Sequence, residues 1–121
     1  QIQRRLFRVC SELASTTPES LQIMNESDLH WVEERIVTLE KIIHLSGFVI
    51  PGLTIPSGYL DVCRTIARRA ERRIISFARS TPVSTILLRF VNRLSDYIYL
   101  IARDEETERK GGPQPVKAPA V

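Results

Sequence analysis

Arg64, Arg68 and Arg72 recur at i, i+4 and i+8, with Arg69, Glu71 and Arg73 among them, in a segment that otherwise reads as a helix packed through Leu60, Cys63, Ala67, Ala70 and Ile74. At 100° per residue the three guanidiniums form a row along one helix face, with Glu71 beside it. Stacked planar guanidiniums suit multidentate recognition of phosphate or carboxylate; the plainer alternative is a solvated face with scattered ion pairs. Two further features bracket the row. The stretch F-V-I-P-G-L-T-I-P, Phe48 to Pro56, is stiff and apolar, so it either folds under the helices as core or offers apolar surface to a ligand or subunit. Asn92 and Asp96 lie one turn apart on a later helix. Brought to one crevice, these groups would hold an anionic chain next to a large, flat, apolar ligand.

Other chemistries lack their residues. Neither G-x-G-x-x-G nor G-x-x-x-x-G-K-[ST] occurs, so no common phosphate-cradling loop is present in the sequence. No Ser/His/Asp or Cys/His set has workable spacing. Glu33 with Glu34, and Asp104 to Glu106, are paired carboxylates that read as exposed, solubilising helix positions. His44, near the end of an apolar-striped helix, reads as structural. With only His30, His44, Cys10 and Cys63 available and no C-x-x-C spacing, no metal-ligating residue is expected, and both cysteines read as helical core positions in a reduced compartment.

The elements that must position these groups are all helical. Gln1 to Ala14 reads as a first helix, with Ile2, Leu6, Val9, Cys10 and Leu13 inward and Arg4, Arg5, Arg8 and Glu12 outward. A polar connection, Ser15 to Glu26, precedes a second helix capped by Asn25 or Ser27 and running to about Ser46, with Leu29, Val32, Ile36, Leu39 and Ile43 as its core stripe. Trp31 on that helix reads as a packing residue. Ser57 is the expected N-cap of the arginine helix, which runs to about Ser80. Thr81 and Pro82 then open the last helix as N-cap and first position, with Ile86, Leu87, Phe90, Val91, Leu94, Ile98 and Ile101 inward. Strand-like alternation and internal repeats are absent. The expected architecture is an all-α bundle of four helices over residues 1–106, followed by a flexible tail over 107–121 rich in Lys, Gly and Pro.

Length and charge agree with this reading. A chain of 121 residues is one domain with room for a core. Net charge is only +3, yet fourteen of the 17 basic residues are arginine, which favours anion recognition by geometry over the diffuse polybasic field that coats nucleic acid. No apolar run is long enough to span a membrane and no signal-peptide pattern opens the chain, so a cytoplasmic setting is expected, or the mitochondrial matrix in a eukaryote.

At the level of whole motifs the sequence resembles a known family. F-V-I-P-G (48–52), R-T-I-A-R-R-A-E-R (64–72) and N-R-L-S-D-Y (92–97), in this order and spacing, resemble the PduO-type ATP:cob(I)alamin adenosyltransferases, and the opening Q-R-R-L-F with S-E-L-A looks like the helix that follows the family's N-terminal nucleotide loop. The likeness covers about residues 1 to 104. It implies a homotrimer of helical bundles, five helices each in the complete fold, with sites between subunits. The implied reaction moves the 5′-deoxyadenosyl group of ATP to the cobalt of cob(I)alamin, making adenosylcobalamin and triphosphate with magnesium as cofactor. By the same resemblance Arg68, Arg69, Ala70, Glu71 and Arg72 line the ATP segment, and Asn92 is a further ATP contact. Arg64 serves the site and the subunit interface, and Phe48 sits under the corrin ring, excluding the lower axial ligand. Asp61 stands where the family usually carries His, beside the corrin-side segment, and Leu53 stands where a second glycine is expected. A cobalamin-dependent mutase or a corrinoid reductase are the implied protein partners. The family's T-K-x-G-D-type phosphate loop and D-E-L-N-type segment are absent, so the chain is expected to be an incomplete one. Alternatives are an inactive relative that binds corrinoid or serves as an assembly partner, and an arginine-rich helical nucleic-acid-binding module.

Overall fold

The computed structural model describes residues 1–15, 23–45 and 47–117. Four helices follow one another: α1 (Ile2–Ala14), α2 (Glu26–Ile42), α3 (Ile55–Ala78) and α4 (Thr85–Lys110). Among the described residues the only strand-like feature is an isolated antiparallel bridge between Val49 and Pro115. The architecture is the expected all-α bundle. None of the helices is long and apolar enough to cross a membrane.

α4 is the organising helix, packed against both α2 and α3. Leu87, Phe90, Val91, Leu94, Ile98, Leu100 and Ala102 are all buried, a wider arc than one partner helix could cover. α2 supplies Leu29, Val32, Ile36 and, just past its end, Ile43. α3 contributes less, with Leu60, Ala67 and Ile74 packed against the core edge. The predicted stripes of α2 and α4 are therefore the real ones. On α3 the outer two of the predicted five, Cys63 and Ala70, are exposed.

Helix starts differ from expectation by a few residues, each for a visible reason. Asn25 caps α2 in a full capping box with Asp28. Thr54, not Ser57, caps α3: its hydroxyl accepts the Ser57 N–H while the buried Ser57 hydroxyl accepts the Thr54 N–H, so Ser57 is the box's third position. Ser84 caps α4 by accepting the Leu87 N–H, three residues after the expected Thr81. α2 ends at Ile42, where the sequence suggested continuation to Ser46, a residue outside those described, as are 16–22 of the connection before it.

α1 departs most from its sequence reading. Val9 is buried, but Cys10 is exposed and Glu12, expected outside, is only 4% exposed. Its carboxylate accepts the N–H of Met24 (2.9 Å) and of Ser84 (3.3 Å), tying α1 to the starts of α2 and α4. Arg5 and Arg8 also turn in, both onto the buried Asp28 at 3.4 and 3.3 Å, and Arg8 donates to the Ile23 carbonyl. Arg5 lies 4.2 Å over the Trp31 ring, which meets Tyr97 edge-on at 5.6 Å, so Trp31 is a packing residue as expected. Polar groups point inward here because α1 is joined to the bundle by charge as much as by apolar contact. Glu12→Ala, which leaves two N–H groups without their acceptor, is expected to lower unfolding free energy by about 2–3 kcal/mol, and Glu12→Gln by less, in urea denaturation.

The tail also differs from the flexible segment expected from residue 107. The helix continues to Lys110, Gly111 closes it in the left-handed conformation, and residues 113–117 turn back along the bundle. There the Ile50 N–H donates to the Gln114 carbonyl and the Val116 N–H to the Phe48 carbonyl, both at 2.8 Å. The loop before α3 is thus paired to the chain's own C-terminal segment. Residues 118–121 lie outside the described part.

Candidate functional site

α3 and α4 together carry every ATP- or corrinoid-site residue that the family resemblance named except Phe48. On α3, Arg68, Arg69 and Arg72 are exposed, and among the described residues no carboxylate lies within ion-pair distance of them or of Arg73. Glu71, the obvious neighbour, is turned away: it is half-buried and accepts a 2.8 Å hydrogen bond from the Asn92 side chain of α4. Asn92 and Glu71, which the sequence placed on separate helices, are therefore one unit. The pairing orients the Glu71 carboxylate toward α4 and leaves it outside ion-pair distance of the arginines.

The row is not uniform. Arg64 is half-buried against α4, its guanidinium 5.0 Å from the centre of the Tyr99 ring. Arg68 and Arg72 flank the α4-facing side and are open to solvent. Arg69, Arg72 and Arg73 with Ser76 line an open concavity of about 550 Å³. Asn92 borders a second of about 260 Å³ with Arg89, Arg93 and Glu33, in which Arg89 is paired to Glu33. Asp96, the other half of the Asn92 pair, meets Arg93 and does not reach α3.

The apolar part lies at the opposite end of α3. Asp61 precedes Glu71 by ten residues, about 15 Å along the helix axis. Phe48 is 88% exposed and Ile50 42%, so the loop presents apolar surface and is not core. Gly52 adopts φ +69°, a conformation a side chain would strain, and its N–H donates to Asp61 at 2.8 Å. Leu53, Thr54, Ile55, Tyr59 and Val62 line a shallow apolar concavity of about 420 Å³ beside it. Asp61 is also 2.7 Å from the buried guanidinium of Arg103, so it is held in place on two sides.

Arg103 and Glu106 were missed. The sequence reading assigned Arg103 no role and made Glu106 a solubilising residue, yet they are 1% and 0% exposed. Arg103 bridges Asp61 and Glu106 (3.0 Å), and Glu106 accepts the Leu53 N–H at 3.4 Å. The signal was in the period: Val91, Ser95, Ile98, Ala102 and Glu106 share one helix face, and all five are buried.

α3 thus carries exposed, unpaired guanidiniums along one part of its length and an exposed apolar loop before its N-terminal end. The cobalamin adenosyltransferase family profile matches residues 1–105. The chain belongs to that family. Within the cobalamin adenosyltransferases it is 36% identical over 113 residues to the corrinoid adenosyltransferase PduO of Salmonella typhimurium, covering 88% of this chain and 33% of that protein. It is 35% identical over 103 residues to the corrinoid adenosyltransferase of Bacillus subtilis, covering 84% of this chain and 53% of that protein. The chain thus spans about a third to a half of the length of these two relatives. A variant of the PduO-type ATP:corrinoid adenosyltransferase of Lactobacillus reuteri, complexed with cobalamin and ATP, superposes with a TM-score of 0.84 at 30% identity, over 97% of this chain and 67% of that one. A second variant of the same protein, complexed with ATP, gives 0.86 at 32% identity, over 96% and 67%.

Proposed function

We propose that this chain forms the helical body of an ATP:corrinoid adenosyltransferase, and that it binds ATP along α3 and a corrinoid at the Phe48 loop. The observation that carries the reading is the set of exposed guanidiniums on α3, Arg68, Arg69 and Arg72, without carboxylate partners. In the proposed reaction the Co(I) lone pair attacks C5′ of ATP. A cobalt–carbon bond forms, the C5′–O bond breaks, and triphosphate leaves with that electron pair. No proton moves at the reacting atoms, so no side chain need act as base. The protein's part is to align the two reactants and to stabilise the charge of the departing triphosphate.

Arg68, Arg69 and Arg72 would contact the phosphates, whereas Ala70, two residues from both Arg68 and Arg72, lies on the other side of α3. Arg64, laid against Tyr99, would fix the near end of the row. The Asn92–Glu71 pair would present the remaining polar atoms to the nucleotide. Phe48 would wedge beneath the corrin ring, shutting out water and a lower axial donor, which makes the cobalt easier to reduce. Asp61 serves this end through the loop it anchors. Magnesium would accompany ATP, held by the phosphate oxygens and water rather than by a protein cage, and no step is assigned to it.

The quaternary part of the proposal is a homotrimer. Ile55, Tyr59, Val62 and Ile66 form an exposed apolar stripe at i, i+4, i+7 and i+11, with Ile55 78% exposed, and a neighbouring copy would cover it. A cytoplasmic setting is supported by the free thiols of Cys10 and Cys63. The reading is tested by anaerobic incubation with chemically reduced cobalamin and ATP. A corrinoid whose absorbance changes on photolysis is expected. Absence of that product, with salt-sensitive binding to DNA or RNA instead, would replace it by the nucleic-acid reading.

A further inference from the structure

We propose that Arg103 is a positioning residue for the corrinoid end of the site: from inside the bundle it fixes the loop that carries Phe48. What the loop does rests on the adenosyltransferase reading above; that Arg103 holds it does not.

A guanidinium that is 1% exposed has lost nearly all its water, and such a group is tolerated only where carboxylates and further hydrogen bonds replace it. Arg103 has both Asp61 of α3, at 2.7 Å, and Glu106 of α4, at 3.0 Å, on the same terminal nitrogen, and its flat face lies 4.9 Å from the Tyr99 ring. An apolar residue would close the α3–α4 seam at lower cost, so seam stability is a poor reason for the cluster. The second hydrogen bond of each carboxylate is informative. Asp61 accepts from Gly52 and Glu106 accepts from Leu53, consecutive backbone N–H groups of the same loop. Arg103 thereby orients two acceptors from two helices onto one short turn. That turn begins four residues after Phe48, whose own carbonyl is tied to Val116. The loop is therefore held at both ends, and its exposed aromatic ring stands on a fixed base. Tyr99 adds a lateral link, since Arg64 lies against the same ring. Arg103 is too deeply buried to touch a ligand itself.

The test uses the full chain. Arg103→Lys keeps the charge but replaces the guanidinium by a compact ammonium with a shorter reach and no planar group to set against Tyr99. Hydrogen exchange at the Gly52 and Leu53 amides is expected to accelerate about tenfold or more while the α2 and α4 core amides keep their protection. In turnover, KM for the corrinoid is expected to rise about fivefold with KM for ATP within about twofold of wild type. Glu106→Ala, in which Asp61 still neutralises Arg103, is expected to shift exchange and corrinoid KM in the same direction by about twofold to threefold, and it serves if Arg103→Lys does not fold. A lower melting temperature with loop exchange and corrinoid KM unchanged would reduce Arg103 to a structural residue and overturn the proposal. If wild type gives no adenosylated corrinoid yet the loop amides still respond, the functional reading fails and the positioning role stands.

Discussion

Replacing Arg68 by alanine is expected to lower kcat/KM for ATP by about 10- to 100-fold, the weight of one charge-assisted contact to phosphate at about 1.5–3 kcal/mol. Replacing Arg73 should change it by less than about threefold, as for a screened surface charge. Arg68 stands one turn from both Arg64 and Arg72, on the flank of α3 next to α4 and the Asn92–Glu71 pair. Arg73 continues the outer stripe of Ile55, Tyr59, Val62 and Ile66, on the side turned away from α4. Both are exposed and neither is ion-paired among the described residues, so neither substitution should disturb folding. The comparison therefore isolates position at constant chemistry. If Arg68 contacts the departing triphosphate, the loss should fall on kcat as well as KM, because charge on the leaving group grows toward the transition state. Equal losses at the two positions, or none at either, would remove this face from the ATP site.

Phe48→Ala is expected to slow adenosylation starting from cob(II)alamin by about 10- to 100-fold, corresponding to about 1.5–3 kcal/mol for burying one large apolar side chain against the ligand. KM for ATP should be unaffected. Phe48 is 88% exposed, so in the free chain it contributes little to packing and its removal should leave thermal stability nearly unchanged. An aromatic ring in water at the tip of an anchored loop is poorly explained by stability, whereas a surface waiting for a flat apolar ligand explains it. Unchanged reduction of cob(II)alamin together with weakened ATP binding would contradict the wedge role.

The sequence was most informative where one residue type repeats at helical spacing. Leu29, Val32 and Ile36 on α2, and Leu87, Phe90, Leu94 and Ile98 on α4, are buried as their period requires, because apolar burial depends on face alone. The row at Arg64, Arg68 and Arg72 was visible for the same reason. Polar burial was not, because it depends on partners far away in the chain. Glu12 is buried for the sake of two backbone N–H groups, one of them at Ser84, and Arg103 for a carboxylate at Asp61. A one-dimensional pattern gives such residues a polar label and assigns them to solvent. The pairing of Phe48 and Ile50 with residues 114 and 116 was hidden likewise, since a tail rich in Lys, Gly and Pro carries no periodic signal even where its backbone finds partners. The family motifs did not reveal that Asn92 on α4 holds the Glu71 carboxylate.

The central claim is that this face holds a triphosphate as it leaves C5′, and counting products tests it most directly. After single-turnover incubation of the protein with cob(I)alamin and ATP, the light-labile cobalt–carbon bond and the released inorganic polyphosphate are both quantified. The account predicts one intact triphosphate for each bond formed, with both products falling together in Arg68→Ala. ATP hydrolysis to diphosphate or phosphate without a light-sensitive corrinoid, or adenosylation that proceeds undiminished in Arg68→Ala, would contradict it.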